Sequence, residues 1–328
     1  MKNPRHWLAV LGAALLVLLV PPLISSGSDD GGSQIRGLRM MVPNAPGGGY
    51  DITARTAVKA IEDAELNGTT EVFNLPGAGG TVGLGRLVNE RGNGKLTMSM
   101  GLGVVGAVYT NHAPSSLQDT TAIAKLTEES DIVVVGKDSP YQNIGQLVEA
   151  WKANPGGVAV GGGSAPGGPD HLAPMLMAKA IGLTPKQVNY IPFDGGGELM
   201  ASVLGGKVGF GVSGIGETRD QVAAGELRAL AVTSPNRVPG IDAPTLKESG
   251  VDVGFTNWRG VVAPPGISDD DRTKLVNLFR ALHDSAQWKE SLRVNGWTDA
   301  FSVGDDYTAF LKAENDRVAS VMKELGLA

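Results

Sequence analysis

No cysteine occurs anywhere in the chain. That excludes disulfides, thiolate metal sites, cysteine nucleophiles and the acylated cysteine of a bacterial lipoprotein, so stability must come from the core. Histidine is nearly as scarce: His6, His112, His171 and His283 are all there are. No Lys/Arg cluster follows the N-terminus, and 34 acidic against 28 basic residues leave a formal charge of -6. Nucleic acid is therefore not an expected partner, because phosphate neutralisation needs a basic footprint. A Gly-Lys-Ser/Thr triplet is missing too, which removes a Walker phosphate loop. No internal repeat of fixed period is visible.

Long apolar runs are absent apart from one. Lys2, Arg5 and His6 precede an apolar stretch over residues 7–20, which Pro21-Pro22 interrupts before the small residues Ser25, Ser26, Gly27 and Ser28. This is the pattern of an export signal, and it is shorter than the roughly 20 residues a membrane-spanning helix requires. Residues 1–28 are therefore expected to be a signal peptide or an uncleaved anchor. Residues 29–35, rich in Gly, Ser and Asp, are expected to be a flexible linker. The expected location is the periplasm or the outer face of the cytoplasmic membrane.

What the chain has in abundance is glycine, 47 residues. Short apolar or β-branched runs predict strands over 38–42, 70–74, 96–100, 131–135, 158–161, 188–191, 208–212, 227–233 and 260–263. Helical patterns alternate with them, among them 52–63, the stripe Ile144, Leu147, Val148 and Trp151, a helix over 170–181, one opened by Ser268, and a last one over roughly 305–325. Such alternation predicts an α/β fold with mainly parallel sheets. The glycines gather at the C-terminal ends of the strands, where open α/β sheets bind ligands.

Three strand-to-helix turns stand out. The first, Pro46-Gly47-Gly48-Gly49-Tyr50-Asp51, lets backbone amides approach a ligand closely at a helix N-terminus, a natural seat for a carboxylate or phosphate. Read alone, it is equally a tight turn with Asp51 answering the helix dipole. A second turn runs from Gly161 through Ser164, Gly167 and Gly168 to His171, with Pro169 suited to the first helical position. Two such turns can grip one ligand from opposite walls. The third, Gly77-Ala78-Gly79-Gly80, has Val82 where a dinucleotide fingerprint needs its third glycine.

Evidence for catalysis is thin. Gly211-Val212-Ser213-Gly214-Ile215 misses the nucleophile-elbow spacing at its last position. A single histidine at a helix start, His171, reads first as a capping or packing residue and second as a ligand contact. Asp119, Asp131, Asp138 and the run Asp269-Asp270-Asp271 are too scattered, or too plainly helix-opening, for a calcium loop. No catalytic set, metal site or cofactor is expected.

Taken in order, these motifs resemble the substrate-binding receptors of tripartite tricarboxylate transporters, a family that includes the Bordetella uptake proteins. The resemblance runs from about Leu38 to the C-terminus. It rests on Val42-Pro43, Pro46-Gly47-Gly48, Asp51, Ala54-Arg55, Asn74, Pro76-Gly77-Ala78-Gly79-Gly80 and Gly83. Further on it rests on Gly163-Ser164, His171-Leu172, Gly205-Gly206-Lys207-Val208, the stretch from Ala224 to Ser234, Pro244-Thr245-Leu246, Trp258 and Ala263-Pro264.

The resemblance implies a two-lobed periplasmic-binding-protein fold of type II. Lobe one would comprise residues 36–130 plus 235–328, and lobe two residues 131–234, with crossings near Ser130 and Ser234. It implies a monomeric receptor that closes on a small organic carboxylate and passes it to membrane permease subunits. Other roles for the same fold are a sensory module without a transporter and a secreted carboxylate-processing enzyme. Ala45, Gly47, Gly48, Tyr50 and Asp51 would form one wall of the cleft and Gly77, Ala78, Gly101 and Leu102 its floor. Ser164, Gly167, Gly168 and His171 would oppose them. Where the family often has Tyr-Lys-Gly, this chain has Phe193-Asp194-Gly195. Asp194 in place of a base would repel a second or third carboxylate, favouring a smaller carboxylate or one bearing an amino or hydroxyl group.

Overall fold

The structure, a computed structural model, describes residues 34–193, 195–324, 326 and 327. The expected export segment and almost all of the linker expected after it lie outside those residues, as does Asp194. Strands β1 to β6 are Arg39–Val42, Glu71–Asn74, Leu96–Gly101, Thr121–Glu129, Asp131–Gly136 and Val160–Gly162. Strands β7 to β11 are Tyr190–Pro192, Phe210–Gly214, Leu227–Val232, Asn257–Ala263 and Thr298–Val303. Helices α1 to α5 are Gly49–Asp63, Thr81–Asn89, Leu102–Thr110, Ile144–Ala153 and Pro169–Ala180. Helices α6 to α10 are Gly196–Leu204, Ile215–Ala223, Asp269–Asp284, Ala286–Asn295 and Gly304–Glu324.

The strands form two sheets with one plan. The first runs β2-β1-β3-β10-β4-β11 and the second β7-β6-β8-β5-β9. In each, a parallel trio (β2-β1-β3 and β7-β6-β8) is followed by antiparallel neighbours. The sheets are thus mixed, because β5 and β10 are the strands on which the chain enters one sheet after leaving the other. Crossover helices cover the parallel trios, so the inner strands are buried on both faces: Met40, Met41 and Val42 of β1 are fully buried, as are Met98 and Met100 of β3.

The helices start where their caps predict. Asn143 accepts a hydrogen bond from the Gln146 amide at 3.0 Å to open α4, and Ser268 accepts one from Asp271 at 3.1 Å to open α8. Trp151 of α4 is fully buried and meets Phe210 of β8 edge-on, ring centres 5.0 Å apart. Two strands were not evident in the sequence. In β4 the interruption is Lys125, which is buried with its Nζ over the Phe310 ring, 3.9 Å from the centroid, and paired with Glu128. β11 is a half-exposed edge strand with little apolar pattern.

The segments that join the sheets run side by side. Asp131 donates its amide to Thr233 Oγ1 at 3.0 Å, Thr233 donates its own to the Asp131 carbonyl at 2.9 Å, and Ser234 donates to Ser130 Oγ at 2.9 Å. Among the described residues no helix is long and apolar enough to cross a membrane.

Candidate functional site

The first glycine turn links β1 to α1. Gly47 has φ +82°, a left-handed conformation that a side chain would strain, and it donates its amide to Asp51 Oδ2 at 2.9 Å. Gly48 closes the turn on the Ala45 carbonyl at 3.3 Å. Asp51 also accepts from Arg55 Nε and from Asn74 Nδ2, each at 2.9 Å. Burial works to raise the Asp51 pKa, but these three donors outweigh it and hold the carboxyl below its ordinary range. Asp51 faces back into the fold and fastens the turn.

The second turn, between β6 and α5, repeats this construction. Gly167 has φ +90° and donates its amide to His171 Nδ1 at 3.1 Å, while Gly168 closes on the Ala165 carbonyl at 2.9 Å. The residues before each helix, Gly48 and Gly168, have φ/ψ of -76°/164° and -75°/170°. Ala-Pro-Gly-Gly recurs at 45–48 and 165–168, so a local repeat exists although no fixed period runs through the chain. His171 is buried, and burial drives its pKa down to about 4, leaving the ring neutral with its proton on Nε2. Its ring meets Tyr190 edge-on at 4.6 Å, and Tyr190 donates to the Ser164 carbonyl at 2.6 Å.

Both turns open on one cavity of about 930 Å³. Ala45, Gly47, Gly48, Tyr50, Gly77, Ala78, Ser164 and Gly168 line it; Asp51, Gly101, Leu102, Gly167 and His171 do not. Leu102 is fully buried, and Gly101 stands where a side chain would strike the Trp258 carbonyl, so the floor passes to Gly103. His171 lines a separate hollow of about 290 Å³ with Met175 and Tyr190. The N-terminal ends of α1, α5 and α6 and of the short turn Ala78–Gly80 all contribute to the main cavity wall. Each helix start carries amides without intrahelical partners and a partial positive charge, so their convergence favours an anion.

Charged residues that the sequence did not reveal as site residues complete the wall: Arg259 of β10, Glu217 of α7 and Asp170 of α5, together with Asn257. Arg259 is buried beneath the first turn, where any side chain at Gly49 would collide with its guanidinium. It pairs with Glu129 at 3.4 Å and lies over the Tyr50 ring, 5.2 Å from the centroid. Burial opposes its charge, but Glu129, Tyr50 and Glu217 outweigh that and raise its pKa. Tyr50 accepts a hydrogen bond from the Val104 amide at 3.2 Å, and burial raises its pKa.

The acids are raised as well, which for them disfavours the charged form. Asp170 is pushed up to about 8 by burial and by the Glu217 charge, against bonds from Gly163 and Ser164. Burial likewise raises Glu217, although Ser213 donates to its Oε2 at 2.6 Å. Asp131, with no exposed surface and no hydrogen-bond partner for either carboxyl oxygen, is raised by burial and by Asp170, Glu129 and Glu217. Among the described residues no cluster of His, Asp and Glu is placed to hold a metal ion.

A family model described as the tripartite tricarboxylate transporter family receptor matches residues 53–327. The chain is similar to Protein BugT of Bordetella pertussis, 27% identical over 333 residues that span 99% of this chain and 98% of that one. It is similar in structure to the periplasmic binding protein BugD, with TM-score 0.78 and 26% identity over 88% of this chain and 97% of the other. An R. palustris protein solved with adipate shares the fold at TM-score 0.78 and 22% identity, again over 88% and 97% of the two chains. The architecture is the two-lobed, type II periplasmic-binding-protein fold.

Proposed function

The chain belongs to the tripartite tricarboxylate transporter receptor family, and from that premise we propose that it captures a small organic carboxylate between its lobes and delivers it to the permease subunits of such a transporter. The observation that carries this reading is the pair of matched glycine turns, each placing the N-terminus of a helix on one cavity of about 930 Å³. That volume is in the range of small-molecule sites. A ligand carboxylate would rest on the Gly49 and Tyr50 amides at the start of α1, and the Ser164 to Gly168 turn would meet it from the other side.

We assign lobe one to residues 36–130 plus 235–328 and lobe two to residues 131–234. The paired crossings at Ser130-Asp131 and Thr233-Ser234 support a hinge there, since a few residues between two rigid sheets can absorb the backbone rotation. On this reading the protein acts outside the cytoplasmic membrane as a monomer and returns its ligand unchanged. Calorimetry of the purified chain against mono-, di- and tricarboxylates tests the proposal. Saturable heat from at least one of them is expected; silence from all, with binding of a sugar or peptide instead, would overturn it.

A further inference from the structure

The cavity carries two opposed electrostatic demands. Helix N-termini at Gly49, Pro169 and Gly196 turn positive ends toward it, which suits an anion. Behind and between them stand four carboxyl groups, Glu129, Asp131, Asp170 and Glu217, of which Asp170 and Glu217 lie on the wall itself. Arg259 is the cation these four share, and its one hydrogen bond to them, to Glu129, is long at 3.4 Å.

Acids in the first turn of a helix ordinarily answer the dipole from the solvent side. These do not: Asp170 is 5% exposed, and Glu217 fills the space where Gly196 would carry a side chain, its Oε2 2.5 Å from that position. Asn257, 3% exposed and also on the wall, has an Oδ1 without a partner. Asp170 has donors in Gly163 and Ser164 and Glu217 in Ser213, but Asn257 Oδ1 and both Asp131 carboxyl oxygens have none, and such buried oxygens are costly unless something supplies the donors.

We propose, resting on the carboxylate reading above, that the natural ligand is zwitterionic: its carboxylate sits on the Gly49 and Tyr50 amides that open α1, and an ammonium group is received by Glu217 and Asp170 on the facing wall. Arg259 stands between the two and takes a further carboxylate where the ligand has one. An ammonium carries three donors and no acceptor, the complement of this wall. The two lobes would then read opposite ends of one molecule.

Matched ligand pairs that differ only in the amine test this: succinate with aspartate, glutarate with glutamate, and adipate with 2-aminoadipate, titrated calorimetrically into the purified chain. In at least one pair the amino member should bind ten or more times more tightly. That ratio should collapse toward one in Glu217→Gln, with Asp170→Asn as a second variant and thermal melting to check that each is folded. If every pair that binds is bound equally, or better without the amine, the ammonium site is refuted while the carboxylate reading stays intact. A ratio that survives in both folded variants would refute the assignment to Glu217 and Asp170. No binding of either member of any pair would remove the carboxylate reading and this inference together.

Discussion

Gly106 of α3 and Gly167 of the second glycine turn meet backbone to backbone across the mouth of the cleft, so closely that a side chain at Gly106 would run into the Gly167 carbonyl. Thr110, one turn further along α3, donates to the Pro166 carbonyl at 3.3 Å. Gly106→Ala should therefore hold the lobes apart. Because alanine in a helix interior is favoured over glycine by about 0.5–1 kcal/mol, the unliganded variant should melt no lower than the parent. Its ligand affinity should fall about tenfold or more, as the closed state becomes rarer. Calorimetry with small-angle scattering would show both effects; undiminished affinity would mean that this contact does not limit closure.

Asp51→Ala removes the acceptor for the Gly47 amide, Arg55 and Asn74 at once. Arg55 is half-exposed and can turn to water, so the cost comes mainly from the other two. A loss of about 2–4 kcal/mol is expected in chemical denaturation, with weaker ligand binding. Since the folded pKa of Asp51 lies below its unfolded value, this contribution is present above about pH 4 and is lost as the pH falls through the depressed value.

His171 has a folded pKa of about 4, against about 6.5 when unfolded. The unfolded chain then binds the extra proton between those values, so stability from this residue is complete above about pH 6.5 and drains away toward pH 4. The slope is at most about 1.4 kcal/mol per pH unit. In His171→Gln that slope should vanish. The check is the parent-minus-variant difference in unfolding free energy at pH 7 and at pH 4.5.

Asp170 acts with the opposite sign. Its folded pKa, about 8, lies above the unfolded value, so its contribution is complete below about pH 4 and is lost as the pH rises through 8. Ligand-free protein should therefore lose stability relative to Asp170→Asn between pH 5 and pH 8. A parallel pair of melting curves across that range would show that Asp170 is not the group that titrates.

Much of this site could be read before the fold was known, and what could not has a physical reason. The glycine turns announced themselves because strand, glycine and helix start are contiguous in sequence. Asp51 and His171 were visible as neighbours of those turns, but not their shared task of fastening a glycine amide from four residues downstream. Arg259 and Glu217 were not recognisable as site residues: they reach the cavity from β10 and α7, and their meaning lies in burial and in mutual proximity, which no local pattern encodes. The same holds for β4, where Lys125 interrupts the apolar pattern yet is accommodated over Phe310. Gly101 and Leu102 were placed on the floor because they end a strand; the chain turns a residue later, and Gly103 has that position.

The matched turns carry a consequence for how such a receptor can change. On the proposed reading their grip would come from main-chain amides, which no substitution short of proline deletes, whereas Glu217, Asp170 and Arg259 are side chains that can each be exchanged. Capture and choice would then be separable: a new preference could be written on the charged wall while the clamp keeps its hold. Gly49 and Gly196 set the limit on that freedom, because each leaves room for the charge behind it. A change at either glycine would disturb choice through a residue that need not touch the ligand.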